Sequence, residues 1–101
     1  MAEVSIDTGM DATGASLVTV RGELDISNVE SLSAALEPVL AEDPQGLVFD
    51  LSGLEFMDSA GIAVMVFAAS QVPRVSLRQP STTVRRVIEV SGLSHVLPVE
   101  S

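Results

Sequence analysis

The chain has 101 residues, 47% of them hydrophobic, and this length predicts a single domain, residues 1–101, built around one core. Its 14 acidic residues outnumber 5 basic ones, all arginine, so the net charge of −9 argues against nucleic acid or an anionic membrane as a partner, and Schiff-base lysine chemistry is excluded. There is no cysteine, no secretory signal and no apolar run of about 20 residues, so we expect a cytoplasmic protein.

The amino-terminal part of the chain predicts a β-hairpin. Apolar and polar residues alternate over Glu3–Asp7 and over Leu17–Arg21, which is the pattern of half-buried strands. The intervening segment, Thr8–Ala15, is dense in residues that favour turns. The two strands are therefore expected to pair.

A helix is predicted after the hairpin. Ser27 and Glu30 have the spacing of a capping box, in which each side chain accepts a hydrogen bond from the backbone N–H of the other residue. The apolar positions that follow recur at helical spacing: Val29, Leu32, Leu36 and Val39. They predict an amphipathic helix lying on a sheet. Pro38 is expected to kink or end this helix, because proline lacks a backbone N–H.

The central part of the chain predicts a buried strand, a polar turn and a buried helix. Leu47–Leu51 has the pattern of a strand covered on both faces, broken only by Asp50, whose carboxylate needs a polar partner within the fold. Ala60–Ala69 is apolar on every side and is expected to pack deep against a sheet. Asp58–Gly61 places a carboxylate and a hydroxyl where this helix begins, so we expect a functional site there.

The carboxy-terminal part predicts a short strand, a helix and an edge strand. Val75–Leu77 is the short strand, Ser81 is the expected N-cap of the helix, and Gly92 stands at its C-cap. Val96–Val99 is expected at a sheet edge, where Pro98 is tolerated. The order of elements predicts an α/β domain with a mixed sheet of about four or five strands and the helices packed mainly on one face.

Four motifs occur in an order and spacing that one family shares: Gly22–Asp25, Phe49–Ser52, Phe56–Gly61 and Ser91–Leu93. In these motifs, and over nearly its whole length, the chain resembles a STAS domain, with the closest likeness to the bacterial anti-sigma factor antagonists. The resemblance implies a non-enzymatic protein that, when unphosphorylated, binds an anti-sigma factor that is also a serine protein kinase. This binding releases a sigma factor, and phosphorylation ends it.

The resemblance also implies which residues act. Ser59 is the implied phosphoacceptor, Asp58 is its neighbour, and Asp25 is the carboxylate expected close by. The partner-binding surface is expected to contain Asp25, Ser27, Asn28, Met57, Asp58, Ser59, Ala60 and Gly61. A phosphatase is expected as a further partner, the protein is expected to be a monomer or a weak homodimer, and no cofactor or metal is expected.

The same residues have structural interpretations. Asp58 or Ser59 can cap the helix, since both residue types are common caps, and Asp25 can belong to the turn before the first helix. Gly61 is expected to permit close packing of the helix on the sheet. Met57 is expected either in the core or as an exposed contact for the partner.

Two other functions compete with this interpretation. A hydrolase using Ser59, His95 and an aspartate is disfavoured, because the chain has no Gly-x-Ser-x-Gly elbow and His95 is expected in an exposed loop. A STAS subunit of a transport complex or a stress-signalling assembly would need a docking face without a phosphorylatable Ser59.

The chain departs from the family pattern in two places. The region from Gly61 to Ser81 is about one helical turn shorter than the resemblance implies. The further helix that relatives commonly carry has no counterpart before the last residues. Its absence predicts either a differently covered sheet edge or association with another chain.

Overall fold

The structure is a computed structural model that describes residues 2–100. These residues form five strands and three helices in the order β1 (Val4–Met10), β2 (Ser16–Leu24), α1 (Val29–Ala41), β3 (Gly46–Asp50), β4 (Leu54–Met57), α2 (Ser59–Ser70), β5 (Arg74–Arg78) and α3 (Thr82–Val90). In the single sheet, β1 runs antiparallel to β2, while β3 and β4 run parallel to β2 and β5 runs parallel to β3. The predicted α/β class, hairpin and mixed sheet are confirmed. The two ends of the predicted domain, Met1 and Ser101, lie outside the described residues.

The core lies between one face of the sheet and the helices. On that face the strands contribute fully buried residues: Val18, Val20, Phe49 and Leu77. Their neighbours along the strands point to the other face and include polar residues such as Thr19 and Asp50, whose carboxylate accepts hydrogen bonds from the N–H and hydroxyl of Ser52. Each helix packs an apolar stripe into the same core: Leu32 and Leu36 from α1, Ile62 and Met65 from α2, and Val84 and Ile88 from α3. The helices therefore cover one face, as the sequence predicts.

Strand β4 corrects the sequence interpretation, which places only a turn there. Strand β2 pairs with β3 along its first half and with β4 at its end, and its register shifts between Gly22 and Glu23. Gly22 has a positive φ of 96°, and a Cβ at this position would collide with the carbonyl oxygen of Glu3. The bulge at Gly22 brings Leu24, the last residue of β2, opposite Met57, the last residue of β4. This register places the loops after both strands next to each other.

Helix α1 differs from the prediction at both ends. Its N-cap is Asn28, which makes no side-chain capping bond, and the hydroxyl of Ser27 instead donates a hydrogen bond to Asp25. The predicted capping box is therefore wrong, because Ser27 lies one residue before the cap and is held by the preceding carboxylate. Pro38 does not end the helix, which continues to Ala41, because a proline so near the last turn removes a single backbone hydrogen bond.

The carboxy-terminal segment forms less strand than predicted. The pairing is a single parallel bridge between Val99 and Leu77, in which the Leu77 N–H donates to the Pro98 carbonyl at 2.8 Å and the Glu100 N–H donates to the Leu77 carbonyl at 2.8 Å. Pro98 lies at the sheet edge, as expected. The predicted N-cap of α3 is confirmed, since the Ser81 hydroxyl accepts a hydrogen bond from a backbone N–H of the first turn. No helix within residues 2–100 is both long enough and apolar enough to cross a bilayer.

Candidate functional site

The candidate site forms where two neighbouring parallel strands end. Asp25 follows β2 and Asp58 follows β4, and the Asp58 N–H donates to the carbonyl of Leu24 at 3.2 Å. One carboxylate oxygen of Asp58, Oδ2, accepts a hydrogen bond from the Ile26 N–H at 3.3 Å. These two bonds hold the loop after β2 against the amino terminus of α2. The carboxyl ends of parallel strands are a common place for binding sites in α/β domains.

Asp58 is the N-cap of α2. Its backbone is extended, and its Oδ1 accepts hydrogen bonds from the N–H groups of Ala60 at 2.9 Å and Gly61 at 3.4 Å. Ser59 is the first residue of the helix and is exposed, and its hydroxyl forms no hydrogen bond with any other residue in the described range 2–100. The structural interpretation of Asp58 is therefore correct, and the Ser59 hydroxyl is left accessible.

The loop after β2 is held by its own side chains. Asp25 Oδ1 accepts hydrogen bonds from the backbone N–H of Ser27 at 2.9 Å and from its hydroxyl at 2.5 Å. Asn28 accepts from the Asp25 N–H at 3.0 Å and donates to the carbonyl of Glu23 at 2.9 Å. The Ser27 hydroxyl is the largest cause that holds the pKa of Asp25 below its usual value. The three polar residues thus form an ordered loop that carries a charged carboxylate at neutral pH.

Two of the residues predicted to contact a partner are buried. Met57 is fully buried, because in β4 it faces the core while Phe56 faces outward, so an exposed role for Met57 is wrong. A Cβ on Gly61 would lie 2.7 Å from Met57 Cγ and 2.8 Å from Leu24 Cδ2. The prediction that Gly61 permits close packing of the helix is therefore confirmed, and its own position is buried.

The outward face of α2 carries a residue that sequence reasoning missed. Ser59, Ala63 and Phe67 are exposed and lie four residues apart, so they form one face of the helix, and Phe67 is 60% exposed. The expected burial of α2 on every side is wrong for this face. The helix contains no charged residue, so its sequence offers no polar positions by which the outward face could be identified.

The loop after β2 carries a second missed residue. Ile26 is 79% exposed, although it stands in a loop whose backbone is bonded to Asp58. Its position among polar neighbours gives no periodic signal. Ile26 and Phe67 therefore lie on elements that meet at the Asp58–Ser59 turn.

The largest cleft in the described part of the chain, about 870 Å³, contains none of the predicted site residues. It lies by the β1–β2 turn, the starts of β3 and β5 and the carboxy-terminal segment, and His95 is among its lining residues. There Arg78 pairs with Glu100 at 2.9 Å and Asp11 at 3.4 Å, and its bond to Glu100 holds the pKa of that carboxyl below its usual value. His95 is exposed as predicted and makes no hydrogen bond to Ser59 within residues 2–100. In the same range no group of three or more acidic or histidine side chains is placed to hold a metal ion.

The fold and the serine at the Asp58–Ser59 turn define a class of small regulatory α/β domains, and comparison with known proteins identifies the family. A family profile described as "Mlab, STAS domain" matches residues 8–98, and the chain belongs to the STAS domain family. Among curated relatives, the anti-sigma-F factor antagonist RsfB of Mycobacterium tuberculosis is 28% identical over 89 residues, covering 85% of this chain and 73% of RsfB. The anti-sigma-F factor antagonist RsfA of the same organism is 32% identical over 89 residues, covering 82% of this chain and 70% of RsfA.

Solved structures agree with this assignment. The crystal structure of an anti-sigma factor antagonist from Mycobacterium paratuberculosis superposes with a TM-score of 0.87 at 28% identity, covering 96% of this chain and 85% of that one. The anti-sigma factor antagonist SpoIIAA in its unphosphorylated form superposes with a TM-score of 0.79 at 24% identity, covering 96% of this chain and 89% of SpoIIAA, and shows the same fold.

Proposed function

We propose that this protein is an anti-sigma factor antagonist controlled by phosphorylation of Ser59. In its unphosphorylated form it binds an anti-sigma factor that is also a serine protein kinase, and a sigma factor is released. The observation that carries the proposal is the exposed Ser59 hydroxyl, which has no hydrogen-bond partner among residues 2–100 and stands at the N-terminus of α2 in a STAS domain. Asp25, Ser27, Asn28, Asp58 and Ala60 form the surface around it.

A phosphate at Ser59 acts mainly on this surface. It adds about 1.5 to 2 negative charges and several acceptor oxygens at a helix N-terminus, where the helix dipole favours an anion. The carboxylate of Asp58 is already bound to the N–H groups of Ala60 and Gly61, so the phosphate also meets a neighbouring negative charge. These effects oppose each other and the fold survives. A partner surface that fits a small neutral hydroxyl is blocked by the added bulk and charge.

The proposed role is that of a binding module and not of an enzyme. The chemistry belongs to the kinase that modifies Ser59 and to a phosphatase that restores it, and both are met in the cytoplasm. The monomeric or weakly dimeric state remains a prediction that sedimentation velocity can test. The alternative, a subunit of another assembly, uses the same docking face without modification of Ser59.

Phosphate transfer tests the proposal directly. The purified protein is incubated with ATP and each candidate anti-sigma kinase of its source organism, and the products are followed by intact mass and site mapping. We expect one phosphate on Ser59, no transfer to Ser59→Ala, and normal transfer to Ser33→Ala, a matched variant at an exposed serine of α1. A phosphate at another serine, or none with any kinase, contradicts the proposal and favours the alternative assembly.

Ser59→Asp provides a second test, because it adds one negative charge at the same position. We expect a weaker complex with the anti-sigma factor and a thermal midpoint within a few degrees of the wild type, since Ser59 is exposed and is not the cap. Titration calorimetry and a thermal melt measure the two quantities. Unchanged affinity in Ser59→Asp would contradict the blocking mechanism.

A further inference from the structure

The outward face of α2 differs from the outward faces of the other helices. Helix α3 exposes Arg85, Arg86 and Glu89, as a solvated helix usually does. Helix α2 instead exposes Ala63 and Phe67 in line with Ser59, and no charged residue occurs between Ser59 and Ser70. In a chain of net charge −9, a charge-free exposed face that begins at the candidate phosphoacceptor indicates a contact surface.

Ile26 extends this apolar surface to the other side of the Asp58–Ser59 turn. Its side chain is 79% exposed, while its N–H is bonded to Asp58 Oδ2. The loop that carries it is held by the bonds of Asp25 to Ser27 and of Asn28 to Glu23. The exposed position of Ile26 is therefore maintained by the loop's own hydrogen bonds.

We propose that Ile26 and Phe67 are the two apolar anchors of a docking surface that has Ser59 between them, and that the occupant is the anti-sigma factor. This inference rests on the proposed function. Single exposed apolar residues are normal on protein surfaces, but these two belong to the elements that meet at one exposed serine. Large apolar side chains near the centre of an interface commonly provide most of its affinity.

The charges around the anchors define the chemistry of the partner. The carboxylates of Asp25 and Asp58 lie between them, and within residues 2–100 no arginine forms an ion pair with either. The occupant therefore presents two apolar depressions with basic side chains around them, and a gap between them that admits the Ser59 hydroxyl. In this arrangement Ile26 and Phe67 provide affinity, and Ser59 provides control.

Matched serine substitutions test the two anchors. Ile26→Ser and Phe67→Ser each remove an exposed apolar side chain, and Met10→Ser is the control, since Met10 is 70% exposed and pairs with Ser16 at the opposite end of β2 from the site. The probe is the anti-sigma kinase that phosphorylates Ser59 in the assay above, in its nucleotide-bound form. We expect the dissociation constant to rise roughly ten- to a hundredfold for each anchor variant and less than about twofold for the control. Thermal melts should be unchanged for all three variants, because the side chains are exposed.

The outcomes separate the inference from the proposed function. If wild-type protein binds no anti-sigma factor, the proposed function fails and the docking surface fails with it. If the wild type binds but both anchor variants bind as tightly, the docking surface alone is overturned. A loss confined to one anchor, or an equal loss in Met10→Ser, also overturns the two-anchor surface. Losses in both anchor variants, with the control unaffected, support it.

Discussion

Asp58 provides the sharpest test of how the site is held together, because its carboxylate accepts hydrogen bonds in two places. Asp58 Oδ1 caps α2 through the N–H groups of Ala60 and Gly61, and Oδ2 accepts from Ile26. Loss of an N-cap side chain costs about 1 kcal/mol of unfolding free energy, and loss of one further hydrogen bond costs about 0.5–1.5 kcal/mol. Asp58→Ala should therefore lose about 1.5–2.5 kcal/mol by these two contributions.

Asp58→Asn separates the two contributions. Asparagine caps helices as well as aspartate, but its amide group cannot accept from the Ile26 N–H, so we expect about half of the alanine loss. Urea unfolding followed by circular dichroism measures both variants, and each kcal/mol corresponds to about 4–8 °C in thermal midpoint for a domain of this size. The matched control is Asp7→Ala, which removes an exposed ion pair with Arg21 and should cost less than about 1 kcal/mol. An Asp58→Ala protein as stable as the wild type, or an asparagine variant as damaged as alanine, would refute this description.

Two further predictions concern the surroundings of the site. Gly61→Ala should destabilise by about 1 kcal/mol in urea unfolding, because crowding against Met57 costs about 1–3 kcal/mol and the gain in helix propensity returns about 1 kcal/mol. The control is Gly9→Ala, which has open space around the added Cβ, and equal stability of both variants would contradict the packing argument. The pKa of Asp25 is lowered in the folded state, so its contribution to stability is complete above about pH 4 and is lost as the pH falls through the folded value. Ser27→Ala removes the main cause of this shift and should lose less stability than the wild type between pH 5 and pH 2.5, whereas an identical pH dependence would show that the bond does not act on Asp25.

Most of the fold follows from local patterns, and the exceptions depend on distant residues. Alternation and turn residues suffice for the hairpin, and helical spacing suffices for α1. Strand β4 is only four residues long and stands between Gly53 and Asp58, which favour turns. It exists because the bulge at Gly22 exposes the end of β2 to a new partner. No local reading of residues 54–57 contains that information.

The same distinction applies to the site. A cap at Asp58 or Ser59 is predictable from neighbouring residues, whereas the closeness of Asp25 follows only from the parallel register that sets Leu24 opposite Met57. The resemblance to STAS domains implied that closeness before the register was known. Met57 was assigned two possible environments, because the direction of a strand residue cannot be chosen until its partner strand is known. The exposed position of Phe67 was missed for a related reason, since a helix of uniform polarity has no preferred face by sequence alone.

The division of labour between Asp58 and Ser59 explains how one residue can be modified at so sensitive a position. If the Ser59 hydroxyl itself capped α2, a phosphate there would remove or rearrange a cap worth about 1 kcal/mol in a domain whose total stability is about 5–15 kcal/mol. Asp58 instead makes both capping bonds, so the hydroxyl is free of structural duty while remaining at the N-terminus of the helix. The free energy of an added phosphate is then expressed mainly in contacts with a partner. A switch of this kind needs no second conformation of the domain, because the state of one surface oxygen between Ile26 and Phe67 decides whether the partner can dock.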